Sequence, residues 1–452
     1  MHRFTLRRMK LTLLELLEAT GGGEIGGTQV GNTFGTYHTD SREVQQGGVF
    51  FALRGGKMDG HRFISDALGR GAAALVVERR TEIAHGVVEI MVQNTWDALF
   101  SVASYVRQRV NPLVVGVTGS NGKTSTKEMV AAILERKFNV LRTTGNLNTE
   151  TGVPLTMLKL EPEHTALVVE MGMQRAGDIG RLAELAKPSV GIITNIGSVH
   201  MEFFASQEQL ARGKGELAAA LPDNGRAILN ADDPFFPLLS EMSAAPVTSF
   251  GLGGGDFRGE HYHAGVGGGC EFKVREVAVH LALEGRHQAR NALAALAAGE
   301  FAGISLSDGA SALADVAVPH RLQEHETSKG VVIVDDAYNA SPESMLAAFE
   351  TLAERPGKGR LLAVLGAMGE LGALAEESHR RVGRKAAEVF DAVAVLDSEM
   401  GRVLADVSNA HLLPDRESAV IWVKNNAKRG DRVLIKASRS AGLDEVVQEL
   451  TR

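Results

Sequence analysis

LVVGVTGSNGKTST, residues 113–126, runs from an apolar segment through a glycine-rich turn into residues that favour a helix. That order predicts a buried strand, Leu113–Val117, a phosphate cradle, and a helix from Thr124 to about Lys137. Gly119 and Gly122 let the backbone approach a polyphosphate closely, so that successive N–H groups form an anion nest. The nucleotide contacts this predicts are Gly119, Ser120, Asn121, Gly122, Lys123, Thr124 and Ser125. Lys123 is long enough to reach the outer phosphates, and the Thr124 hydroxyl is suited to Mg²⁺. The common form of this loop has a glycine five residues before Gly122, where Val117 stands here; Gly116 lies one place further back. The loop is a variant. Glycine turns without nucleotide are common, but Gly-Lys-Thr between a strand and a helix favours ATP.

Outward from this loop the chain divides into three zones, 1–112, 113–318 and 319–452. A length of 452 residues suits about three domains of roughly 150 residues each. The first zone has short apolar strands at Val49–Leu53 and Ala73–Glu78. In the second, buried-type strands at Ala166–Glu170, Val190–Thr194 and Ala227–Asn230 alternate with helical or loop segments. The glycine-dense stretch Gly251–Gly269 reads as turns joining short peripheral strands, and a helix from Gln288 to about Phe301 closes the zone. The third zone repeats the rhythm with VVIVDD, a helix from Pro342, LLAVLG, a helix around Glu377–Phe390, VAVL and VLIKAS. Short apolar strands alternating with helices predict an α/β fold with parallel sheets, the last of them Rossmann-like.

Composition narrows the function classes. A formal net charge of −7 without a basic stripe argues against nucleic acid. The single cysteine, Cys270, excludes an intramolecular disulfide and fits a reducing, cytoplasmic setting. The basic, leucine-rich start resembles a leader briefly, but Glu15 and Glu18 interrupt it. Leu11, Leu13, Leu14 and Leu17 predict an amphipathic helix ending at Gly21. No segment approaches the roughly 20 apolar residues of a membrane span.

Two further residues sit where strand ends would meet the loop. Glu170 closes VVEMGM, and His200 follows the next strand in ITNIGSVHMEFF. A strand-end glutamate is often a solvated cap and a lone histidine often structural. Together with Thr124, however, they supply oxygen and nitrogen donors on one rim, as a Mg²⁺–nucleotide site requires.

The loop variant resembles that of the Mur ligases, and the resemblance extends over nearly the whole chain. TDSREVQQGGVFFALRG with DGHRFI, Thr39 to Ile64, is similar to the family's uridine-diphosphate module, which implies nucleotide-sugar contacts from Asp40, Ser41 and Arg42. TTGNLNTETGVPLT, Thr143–Thr156, resembles the loop lining the catalytic cleft, with Asn146, Asn148 and Thr149 as polar contacts. GRHQARNALAA, Gly285–Ala295, resembles the adenine segment, with Asn291 reading the base. In the third zone PHRLQ implies that Arg321 reaches the γ-phosphate, and DDAYNASPESM implies that Asp336 takes the ribose hydroxyls. LAVLGAMGELG with His379, and LIKASRSAGLDEVV with Lys436, Ser438, Arg439 and Ser440, resemble members that accept D-alanyl-D-alanine. Gln174–Arg175 and Ala367 depart from the usual pattern and bear on fine substrate contacts only.

The resemblance implies three domains: a UDP-binding domain, a central ATPase domain and a Rossmann-like ligase domain. It implies Mg²⁺ ligands at Thr124, Glu170, His200 and Lys214, with Lys214 of ARGKGEL carbamylated by CO₂; the alternative is a surface helix lysine. It also implies ATP-dependent amide-bond formation between UDP-N-acetylmuramoyl-tripeptide and D-alanyl-D-alanine, through an acyl phosphate, by a cytoplasmic monomer. Lys123, Lys214, His200 and Arg321 carry the chemistry. Two alternatives stay open. One is a sister ligase adding a single amino acid, whose Asp-Asn-Pro-Arg-type motif is absent here; the other is an ATPase switch without ligation, which needs no cluster of Arg321, Asp336 and Lys436.

Overall fold

The computed structural model describes residues 9–26, 32–56, 58–81, 87–199, 201–265, 268–355 and 359–452. The chain forms two compact units. The first comprises Met1–Gly116, Lys137–Gly172 and Asp178–Ser189; the second comprises Val117–Arg136, Met173–Gly177 and Val190–Arg452.

In the first unit five strands pair in the order Gly23–Gly26, Val88–Met91, Ala74–Val77, Val49–Phe51, Tyr37–His38. All neighbours are parallel except the first pair. The amphipathic helix forms at Leu13–Thr20, where Thr12 and Glu15 make a reciprocal capping box and Gly21 ends it in the left-handed conformation. Its expected apolar face needs correction. Leu11 belongs to a short strand, Leu16 is buried, and Leu14 is 78% exposed. The helix packs on Thr95–Val110, which Asn94 caps, and an Arg109–Glu15 ion pair joins the two. Val140–Arg142 and Ala166–Glu170 run parallel, and Leu113 donates to Thr165 at 3.0 Å.

In the second unit Val190–Ile193, Arg226–Asn230, Val247–Gly251 and Phe257–Ala264 pair in parallel succession. Cys270–Val274 and Val277–Leu281 add an antiparallel edge. The glycine-dense stretch is therefore more than turns. Its glycines gather at 251–255 and 265–269, whereas FRGEHYHA between them is an eight-residue strand whose Phe257 is buried. Helix Arg286–Phe301 packs against Lys123–Leu134 so closely that a Cβ on Gly299 would lie 2.5 Å from Ile133.

The remainder of this unit is a six-stranded sheet ordered Gln323–Glu326, Val332–Asp335, Arg432–Lys436, Leu361–Leu365, Ala392–Leu396, His411–Leu413. Only the first pair is antiparallel. Helices cover both faces of the sheet with separate apolar clusters, one around Phe349 and Met345, the other around Val433 and Leu443. Because Arg432–Lys436 inserts between two earlier strands, the carboxyl ends at Asp335, Leu365 and Lys436 converge, the place where open α/β sheets receive ligands.

Phe349 is fully buried and meets Phe390 edge-on at 4.9 Å between centroids. Phe349→Ala should cost about 3–5 kcal/mol through lost burial and a cavity. Urea unfolding of the variant should show this as a lowered first midpoint.

Candidate functional site

The phosphate turn is fixed before anything binds to it. Gly119 has φ 143° and Gly122 φ 82°, conformations that disfavour side chains. A Cβ on Gly119 would come 1.9 Å from the Thr194 hydroxyl, and one on Gly122 would come 2.5 Å from the Asn291 amide oxygen. The loop after strand Val190–Ile193 clamps the turn. Ser120 N donates to Asn195 O at 2.8 Å, Asn121 N donates to the Asn195 side chain at 2.9 Å, and the Thr194 hydroxyl donates to Asn121 O at 2.6 Å. Asp233 in turn accepts from Ile196 N at 2.7 Å. Gly122 precedes helix Lys123–Leu134 without a side-chain cap, and the start of a helix is a place that favours an anion.

Two lysines converge on one carbonyl. Lys123 Nζ donates to Gly119 O at 2.8 Å and to Ser120 O at 3.0 Å. Lys214 Nζ, from helix Gln207–Ala219, donates to the same Gly119 O at 3.1 Å. Lys214 is 1% exposed, so the surface-helix alternative does not hold. Burial first, and the Lys123 charge second, press its pKa well below the ordinary lysine value. The Ser125 hydroxyl, on the third residue of the helix, is buried and has no hydrogen-bond partner among the described residues. An orphan hydroxyl, a helix start and two lysine amino groups fit a bound polyphosphate.

Other predicted residues fall into place as follows. His200 lies outside the described residues. Glu170 is buried at its strand end and accepts from Asn148 at 2.8 Å, so two predicted residues of the first unit meet. Asn146 and Thr149 are exposed beside them. Asp40 caps the turn Ser41–Glu43 and holds Arg42 at 2.6 Å; that guanidinium lowers the Asp40 carboxyl to about 2, and Ser41 is buried. Asn291 is buried against Gly122 and donates to Gln288 at 3.0 Å.

In the sheet of residues 323–436, Lys436 donates to Asp336 at 2.5 Å and to Asn339 O at 3.1 Å. Burial raises the Asp336 carboxyl and lowers the Lys436 ammonium, while each partner's charge opposes that shift in the other. Arg321 lies over the Tyr338 ring at 4.4 Å, and Arg439 lies over the same ring at 5.5 Å. Ser438 and Ser440 hydroxyls are 3.0 Å apart. His379 departs from the expected substrate contact. It is fully buried, accepts from Met368 N at 2.9 Å and bonds Ala375 O at 2.6 Å, so it holds the 366–369 loop.

Sequence reasoning overlooked Thr194, Asn195 and Asp233, although TN after an apolar strand and ADD after the next stood at strand carboxyl ends, where such clamps belong. It also overlooked Ser341 and Glu343, whose partners no spacing reveals. Among the described residues no group of three His, Cys, Asp or Glu side chains could hold a metal ion.

The middle-domain pattern of the Mur ligases matches residues 117–299. The glutamate ligase domain of the Mur ligases matches 320–439, and the Mur ligase family catalytic domain matches 36–138. The chain is 39% identical over 422 residues to the UDP-N-acetylmuramoyl-tripeptide--D-alanyl-D-alanine ligase of Synechocystis sp., covering 91% of each. A crystal structure of MurF from Acinetobacter baumannii superposes with a TM-score of 0.91 at 28% identity, covering 98% of this chain and 99% of that one. MurF ligase from Thermotoga maritima in complex with ADP gives 0.83 at 33% identity, covering 92% and 97%. The α/β architecture here is thus that of three-domain proteins.

His287 lies close enough to Lys436, Arg290 and Arg321 to be affected by them. Burial first, and those charges next, push its pKa down from 6.5 to about 4. The folded chain therefore binds this proton less readily than the unfolded chain, so the stability His287 contributes drains away as pH falls from about 6.5 toward 4. In His287→Gln the loss of stability across that window should be smaller than in the parent, read as urea midpoints at pH 7 and pH 4.5.

Proposed function

The chain belongs to the Mur ligase family, and from that premise we propose that it joins D-alanyl-D-alanine to UDP-N-acetylmuramoyl-tripeptide at the expense of ATP. The observation that carries this reading is the meeting of Lys123 and buried Lys214 on Gly119 O within a pre-formed phosphate turn. A nucleotide switch needs the turn and Lys123. It has no use for a second lysine buried behind them.

The tripeptide carboxylate attacks the γ-phosphorus of ATP and displaces ADP. Phosphorylation gives the carboxyl carbon a leaving group. The free amine of D-alanyl-D-alanine then attacks that carbon, inorganic phosphate departs with the C–O bonding electrons, and the amine proton passes to solvent or a nearby base. Lys123 and the helix start stabilise the transferring phosphoryl group, with Arg321 as a further cation. Lys436, Ser438, Arg439 and Ser440 are assigned to the dipeptide or the phosphate, and Asp336 and Asn291 to the nucleoside. Asp40, Ser41 and Arg42 are assigned to the UDP portion, and Asn146, Asn148 and Thr149 to the muramoyl peptide.

Mg²⁺, when bound, neutralises phosphate charge and orients the nucleotide. We assign it to Thr124, Glu170, His200 and a carbamate on Lys214. Burial, and then the Lys123 charge, shift Lys214 toward the neutral amine, the form that attacks CO₂, which supports that modification. We assign domain boundaries at 1–112, 113–318 and 319–452, which the starts of the middle-domain pattern at 117 and the glutamate ligase pattern at 320 support. Among the described residues no helix is long and apolar enough to cross a membrane. We place the reaction in the cytoplasm, carried out by a monomer without nucleic-acid partners.

Purified protein given ATP, Mg²⁺ and the nucleotide-linked tripeptide should release ADP on addition of D-alanyl-D-alanine, with a product heavier by the dipeptide residue. Release with single amino acids instead would assign the chain to a sister ligase. Lys214→Ala should reduce turnover about 10²–10³-fold, with partial recovery on adding short carboxylates. Undiminished activity in that variant would dismiss the carbamate.

A further inference from the structure

Helix Pro342–Glu354 starts with a reciprocal cap between Ser341 and Ser344, and both ends of that first turn reach far across the sequence. The Ser341 hydroxyl, while accepting from Ser344 N, donates to Asn121 Oδ1 at 2.9 Å, a partner 220 positions away. Glu343 Oε1 accepts from Ser198 N at 3.1 Å and from the Ser198 hydroxyl at 2.7 Å, 145 positions away. Asn121 belongs to the phosphate turn, and Ser198 to the loop that clamps it.

Gly197 makes room for this contact. A Cβ there would lie 3.0 Å from Glu343 Oε2 and 3.3 Å from Asn121 Nδ2. Those two atoms, an acceptor and a donor, are both buried without a partner among the described residues. They flank one glycine. Glu343 also occupies the first turn of its helix, where a carboxylate is favoured.

We propose that Glu343 is a positioning residue of the ligase reaction, latching the 320–452 segment to the 194–198 loop and so aligning that segment with the phosphate turn. The inference rests on the ligase reading above. The line of action runs from Glu343 through Ser198 to its neighbour Gly197, whose N–H donates to the Ser120 hydroxyl at 2.8 Å. It continues to Asn195, which holds Ser120 and Asn121. Glu343 itself touches neither nucleotide nor peptide in this assignment. Its removal should spare nucleotide binding and slow the transfer that needs both segments aligned.

The test measures turnover, binding of a non-hydrolysable ATP analogue alone, and hydrogen exchange at the Ser198 amide. Glu343→Ala should lower kcat about 10- to 100-fold, leave analogue affinity within about threefold, and speed Ser198 exchange at least tenfold. Glu343→Gln keeps a carbonyl acceptor for both Ser198 donors and should stay within about threefold of the parent in all three. Adding Ser198→Ala to Glu343→Ala should cause little further loss, because the two changes break the same contact. The latch is refuted by parental kcat and exchange in Glu343→Ala, by analogue affinity falling in step with kcat, or by independent effects in the double variant. A parent that makes no product sinks the ligase reading instead, and Ser198 exchange then still decides whether the latch exists.

Discussion

Two lysine amino groups share the carbonyl of Gly119, and most of the site follows from that arrangement. Like charges this close in a region sheltered from water repel strongly, since the effective dielectric is low. The strain eases if an anion fills the turn or if one lysine gives up its charge. Both occur in the proposed reaction, the first through the polyphosphate and the second through carbamylation of Lys214. The glycines at 119 and 122 are needed for the same reason: only a backbone without side chains brings its N–H groups and both lysines around one small volume.

That volume holds its shape because it hangs from buried strands. Val190–Ile193 is fully buried, and its extension Thr194–Asn195 clamps the turn. Asp233, from the end of the next strand, holds the extension. The same logic operates in the sheet of residues 323–436, where Asp336 and Lys436 leave adjacent strand ends as a buried pair. Breaking one partner of such a pair leaves an uncompensated charge, so each residue is fixed by the other. Arg321 and Arg439 over Tyr338 add positive charge to that sheet edge, suited to handling a phosphoryl group or a carboxylate.

Particular elements show where sequence was sufficient. Ala166–Glu170 forms at the residues its apolar run predicts, and the helices after Gly122 and Ser341 start within one or two positions of expectation. Apolar runs, glycine turns and caps are local signals. In the glycine-dense stretch the local signal places turns and short strands but not the extent of FRGEHYHA, whose alternation is carried by Phe257 and polar residues. Leu14 was misread because its helix is too short to bury every leucine at helical spacing. His379 carries no local mark that both its nitrogens serve the backbone.

The sequence by itself determined the α/β class, the phosphate turn with Lys123, and the resemblance that names the chemistry, because each is written in neighbouring residues. Only the tertiary structure decided that Lys214 is buried against Gly119, that Asn195 and Asp233 hold the turn, and that Glu343 reaches Ser198. Those facts depend on segments scores of residues apart meeting at strand ends. Chain spacing carries no record of which side chains will share a low-dielectric pocket. Packing decides that, and packing is settled only when the sheets form.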